Sequence, residues 1–108
     1  MAKNKWAMVI MNHGYDPERD HARLDTKDVE AHILTVRDAE EAIILAKRLS
    51  QEGFGAIEVC GAFGEKLAGE MYKATGCCIP VGYVITPTEQ LEQALKFWDS
   101  VETESLSV

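Results

Sequence analysis

The segment Lys5 to Met11 reads Lys-Trp-Ala-Met-Val-Ile-Met, apolar at nearly every position rather than at every second one. A strand with one wet face alternates; a strand apolar throughout asks for cover on both faces. Three further segments have strand character. Val29 to Val36 alternates at first and then turns apolar. Ala56 to Cys60 is short and apolar apart from Glu58. Ile79 to Ile85 carries Pro80 near its start, where a missing N–H is tolerated.

Segments of helical period follow these strands. Asp38, with Glu41 three residues on, has capping-box spacing; the helix behind it puts Ala42, Ile43, Ala46 and Leu49 on one stripe and stops near Gly53. Gly61-Ala62-Phe63-Gly64 turns into a second helix, Glu65 to Thr75, closed by Gly76. Thr86-Pro87-Thr88-Glu89 is another capping box, with proline at the first helical position. Leu91, Ala94, Leu95, Trp98 and Val101 are expected to form the core stripe of a last helix, and 102–108 a frayed polar tail. Trp6 and Trp98 are both expected in the core. Asn12 to Lys27 is polar and punctuated, an unusually long loop for so small a domain.

The expected fold is a single α/β domain over 1–101. Its order is β-loop-β-α-β-α-β-α, giving a four-stranded, mostly parallel sheet with three helices, flavodoxin/Rossmann-like or half-barrel-like. The long loop lets the first strand run in either direction. If strands pair in chain order, right-handed crossovers put all helices on one face, and the bare face calls for a homo-oligomer. If the strand order reverses, helices cover both faces of a monomer and a crevice opens at the reversal.

With 108 residues there is room for one core. The net charge of −7, from 18 acidic and 11 basic side chains, repels phosphate backbones and anionic lipid, so neither nucleic acid nor membrane is an expected partner. No apolar run nears the roughly 20 residues of a membrane span, and the basic start lacks the cleavage site of a signal peptide. Three cysteines, Cys60 and the adjacent Cys77-Cys78, argue against a disulfide framework and fit a cytoplasmic protein. No metal-ligand spacing and no Gly-x-Gly-x-x-Gly run is present, so no metal or cofactor is expected.

Lys5-Trp6-Ala7, His13-Gly14-Tyr15-Asp16-Pro17, Ile57-Glu58-Val59-Cys60-Gly61-Ala62-Phe63-Gly64 and Pro80-Val81-Gly82 together resemble a family of small prokaryotic proteins known only as a domain of unknown function. The likeness spans roughly residues 5 to 90, and Cys-Gly-x-Phe-Gly is its most specific part. This chain has Ala62 where the family more often has glycine. The resemblance implies a cytoplasmic prokaryotic protein and supplies no activity.

Ligands of parallel α/β sheets gather at the carboxyl ends of the strands. Gly61, Ala62, Phe63 and Gly64 open a helix that has no Ser, Thr, Asp or Asn cap, which leaves N–H groups for an anionic metabolite. The same glycines also suit a tight turn that binds nothing. Cys60, at a helix amino end, Glu58, two residues back on the strand, and His13, leaving the first strand, are the candidates for proton transfer in a cofactor-independent isomerase, racemase or lyase. Each has a structural reading as well: a small buried hydrophobe, a solvent-facing carboxylate and a turn residue. If Glu58 and His32 met across the sheet, the pair would serve either as acid and base or, more commonly, as a structural ion pair. A protein interaction module without a small-molecule site is the third class.

Overall fold

The computed structural model describes residues 4–106, with side chains as far as Val101. The elements are β1 (Asn4–Met11), β2 (Ala22–Asp25), β3 (Val29–Val36), α1 (Ala39–Gln51), β4 (Ala56–Val59), α2 (Gly64–Ala74), β5 (Val81–Tyr83), a 3₁₀ turn (Thr88–Gln90) and α3 (Leu91–Leu106). The tail expected over 102–108 concerns side chains outside the described residues; the α3 backbone is helical to Leu106.

The sheet has five strands rather than four, in the order β2-β3-β1-β4-β5. The direction of the first strand is settled: β1 runs parallel to both β3 and β4, and β4 runs parallel to β5. The added strand, β2, comes from the stretch expected to be all loop and pairs antiparallel with β3 at the edge. Its sequence, Ala-Arg-Leu-Asp, alternates with period two, but four residues with two charges carry too little apolar signal to stand out. The hairpin closes where Thr26 donates from its N–H (3.0 Å) and its hydroxyl (2.9 Å) to the Val29 carbonyl. Charged side chains on so short an edge strand also discourage pairing with another sheet.

The rest of the long loop is folded on itself. Asp16 and Asp20 brace it from both ends: the Asp16 N–H donates to the Asp20 carboxylate (2.8 Å), and the Asp20 N–H to the Asp16 carbonyl (2.7 Å). The Thr35 hydroxyl on β3 donates to the Asp20 carbonyl at 2.6 Å and moors the loop to the sheet.

Two crossovers, β3-α1-β4 over β1 and β4-α2-β5, travel the same way across the sheet. Right-handed connections therefore set both helices on one face, where α1 packs against α2. Between helices and sheet lies the core. Ala7 and Val9 of β1, Ile57 and Val59 of β4, Ala42, Ala46 and Leu49 of α1, and Met71 of α2 are all essentially inaccessible. The alanines let the helix backbones sit close to the sheet, α1 against β3 and α2 against β5, and the branched side chains fill the remaining space.

The strand order does reverse, yet the opposite face stays bare. The connection from β1 to β3 holds an edge strand and no helix, and among the described residues the main contact of α3 is with the 3₁₀ turn before it. The expected core stripe of α3 is accordingly exposed: Leu91 by 44%, Leu95 by 55% and Trp98 by 57%. Trp6 is half-buried on the uncovered face rather than in the core.

α1 begins as its sequence requires. The Asp38 carboxylate accepts the Glu41 N–H at 2.9 Å. Glu41 reaches back one residue further than a capping box prescribes, accepting the Arg37 N–H at 2.7 Å and the Arg37 guanidinium. That guanidinium, and then the Arg37 N–H, hold the Glu41 carboxyl below its ordinary value. Replacing Asp38 by alanine is expected to cost about 1 kcal/mol, the usual scale for an N-cap. An unchanged midpoint in a urea titration would show that the Arg37–Glu41 pair caps the helix alone.

Candidate functional site

The chain leaves β1 toward β3 on one side and later returns to β4 on the other, so the strand order reverses between β1 and β4. At such a reversal the loops leaving two neighbouring strands diverge, and a crevice opens at their carboxyl ends. Asn12 to Tyr15 leave β1 there, and Cys60 to Gly64 leave β4. The Cys60 N–H donates to the Val9 carbonyl at 3.1 Å and ties the two strand ends together; the Val84 N–H donates to the Val59 carbonyl at 3.0 Å and brings in the end of β5.

The β4–α2 turn is closed by the Phe63 N–H on the Cys60 carbonyl at 3.1 Å, and the Phe63 ring is buried as its anchor. Gly61 and Ala62 are exposed. No side chain caps the amino end of α2, and Phe63 occupies the cap position in a helical conformation. The two glycines differ in kind. Gly64 has φ +74°, a left-handed conformation that favours glycine. Gly61 has no such constraint, and a Cβ there would make ordinary contact, 3.6 Å from the Val84 carbonyl oxygen. The fold needs glycine at 64 but not at 61.

Of the proton-transfer candidates, His13 and Cys60 share this rim. Cys60 is half-buried and packs against the core beneath it, while His13 is exposed. Glu58 lies on the bare face of the sheet, opposite Met8 of β1, with Gly82 of β5 on its other side; the Cβ position of Gly82 is 3.7 Å from the Glu58 Cγ. It is exposed, so it carries no burial cost. Glu58 and His32 do not meet. His32 is registered with Ala7, which faces the helices, whereas Glu58 is registered with Met8, which faces away.

His32 has a different carboxylate partner. Its Nε2 lies 2.8 Å from Glu30, and its ring stands edge-on to Phe54 at 5.0 Å. Glu30 also accepts from Arg23 of β2 at 2.9 Å, and Lys5 approaches it to 4.0 Å. The His32 hydrogen bond, with Arg23 and Lys5 behind it, outweighs desolvation and holds the Glu30 carboxyl below its ordinary value. The spacing of Glu30 and His32 on one strand face carried this signal, whereas Arg23 required knowledge of β2. The cluster lies toward the amino end of β3, away from the rim, and it locks the β2 edge.

A cavity of about 220 Å³ opens between the moored loop, β3 and α1, lined by Pro17, Leu34, Ile44, Leu45 and Arg48 among others. It is smaller than the roughly 300–1,000 Å³ of ordinary ligand pockets and is separate from the rim. Among the described residues, no helix is long and apolar enough to cross a membrane.

Fold and rim together define a small α/β protein whose strand-order reversal carries an uncapped, glycine-bearing strand-to-helix turn. A model of the family of unknown function DUF6506 matches residues 4–99, and the chain belongs to that family. No curated protein and no solved structure matches it.

The loop that borders the rim has an acid-sensitive brace. Asp20 is held down to about 2 by the Arg19 guanidinium and then by the Asp16 N–H. A carboxyl depressed in the folded state stabilises fully above its ordinary value, 3.8, and that contribution disappears as the pH falls toward about 2. Asp20→Asn is therefore expected to melt lower than wild type at about pH 5, with the gap closing near about pH 2. A gap that persists there would assign the hold to something other than the carboxylate charge.

Proposed function

We propose that this protein binds a small anionic metabolite, held by the backbone N–H groups at the amino end of α2 in the crevice between β1 and β4. One observation carries the reading: Gly61, at the rim, is glycine where neither backbone angle nor packing asks for it. A bare backbone lets a ligand approach closely, and the helix dipole favours a carboxylate or phosphate there. The lack of a side-chain cap on α2 supports the same reading.

The alternative is a cofactor-independent isomerase, racemase or lyase using Cys60, Glu58 and His13. Cys60 and His13 border the same crevice, but Glu58 on the bare face has to be reached by a substrate that extends past β4. A pure interaction module is the remaining alternative. We also take the chain to be a homo-oligomer in a prokaryotic cytoplasm, with the uncovered sheet face as the reason for association.

The binding reading is tested by melting the protein in phosphate, sulfate and small carboxylates against a non-coordinating buffer. A ligand at 100 times its dissociation constant is expected to add about 2.7 kcal/mol. Gly61→Ala is expected to fold with a stability change within about 0.5 kcal/mol and to lose the anion effect. Gly64→Ala is expected to lose about 1 kcal/mol or more from its left-handed backbone, with or without anion. Absence of any anion effect on the wild type would end the reading.

A further inference from the structure

The described residues form two apolar surfaces that no other described element covers. One is the sheet face away from α1 and α2, formed by Trp6, Met8 and Ile10 of β1, Ala31 and Ile33 of β3, and Leu24 of β2. The other is α3. At 100° per residue, Leu91, Ala94, Leu95, Trp98 and Val101 fall on one stripe, flanked by Phe97 and Asp99, with Glu92, Gln93, Lys96 and Ser100 opposite. Of the eleven exposed large hydrophobic side chains among the described residues, seven lie from Tyr83 to Trp98. An amphipathic helix with an exposed apolar stripe is marginal by itself and draws its stability from packing.

The two surfaces match in size. α3 has 16 residues, about 24 Å at 1.5 Å each. β1, at the centre of the bare face, has 8 residues, about 26 Å. The polar groups on the two surfaces are few. Among the described residues the bare face holds one carboxylate, Glu58, and the Trp6 indole N–H, whose nitrogen is buried without a hydrogen-bond partner; the α3 stripe holds one donor, the Trp98 indole N–H. The Thr35 hydroxyl on the same face is already engaged with Asp20.

We infer that α3 of one copy lies across the bare sheet face of a second copy, and that the second copy's α3 returns the contact about a two-fold axis. A reciprocal exchange buries both surfaces of both copies at once, and closed two-fold assembly is the commonest oligomer. A standard interface removes about 1,600 Å² in all, which is about 400 Å² from each helix and each face. Phe97 and Trp98, 58% and 57% exposed and in edge contact with one another, supply roughly half of a helix's share, since buried aromatic side chains cover about 150–250 Å². The inference deepens the homo-oligomer part of the proposed function and is independent of the anion site.

Light scattering on the purified full chain is expected to give twice the 12.0 kDa chain mass at concentrations on the order of tens of micromolar. Leu95→Glu and Ile33→Glu are each expected to yield folded monomers, with unchanged far-ultraviolet circular dichroism. Mixing them is expected to restore a weaker dimer, because the intact helix of the Ile33→Glu chain meets the intact face of the Leu95→Glu chain. In an equal mixture of isotope-labelled and unlabelled wild-type chains, filtered nuclear Overhauser contacts are expected between the Trp98 ring of one copy and the Met8 and Ile33 methyls of the other. That measurement needs no variant to fold. A monomeric wild type overturns both this contact and the homo-oligomer. A dimer that survives either substitution, variants that do not complement on mixing, or missing Trp98 contacts overturn this contact alone.

Discussion

The structure depends on β1 being central and parallel to both neighbours. Eight residues hydrogen-bond along their length to β3 and over four residues to β4, and the side chains of Ala7 and Val9 are closed off entirely beneath the helices. Parallel neighbours must be reached by crossovers, because a tight turn can join only antiparallel strands. With β1 first in the chain and central in the sheet, the path has to leave it on one side and come back on the other. That path puts the strand-order reversal between β1 and β4 and sets α1 and α2 on one face; because the β1–β3 connection holds an edge strand and no helix, the second face is left without one.

The rim and the bare face are two consequences of this topology with different chemistry. At the rim, the backbone is the exposed surface: a turn closed by Phe63 on Cys60, a buried ring as anchor, and helix N–H groups without a side-chain cap. On the bare face, the side chains are the surface, and they are apolar around one exposed carboxylate. The charged groups of the helix-side edge are already neutralised against one another, with Glu30 serving Arg23 and His32 together. They secure a short edge strand on the side of the sheet away from the rim.

Much of this was legible because local chemistry is written in adjacent residues. The Asp38 cap, the helix end at Gly53 (φ +83°) and the turn through Gly64 follow from propensity and capping, which need no long-range information. β2 was not legible: Ala22 to Asp25 is a strand because β3 offers an edge, and a four-residue charged segment has little strand preference without a partner. The pairing of Glu58 with His32 failed for the same reason. Face assignments on two strands can be compared only once their register through β1 is known.

Apart from β2, the sequence by itself determined which segments are strands and helices and which faces of them are apolar, because period and capping are properties of neighbouring residues. It also determined that β1 needs cover on both sides and that α3 has a stripe to bury. Only the tertiary structure decided that these two needs are not met by each other within one chain. The β1–β3 connection holds an edge strand where a helix was needed, and α3 leaves the far edge of the sheet from β5 without turning back over it. Hydrophobic burial has no direction in sequence, so an apolar stripe states what it must lose to water and not against which surface it loses it.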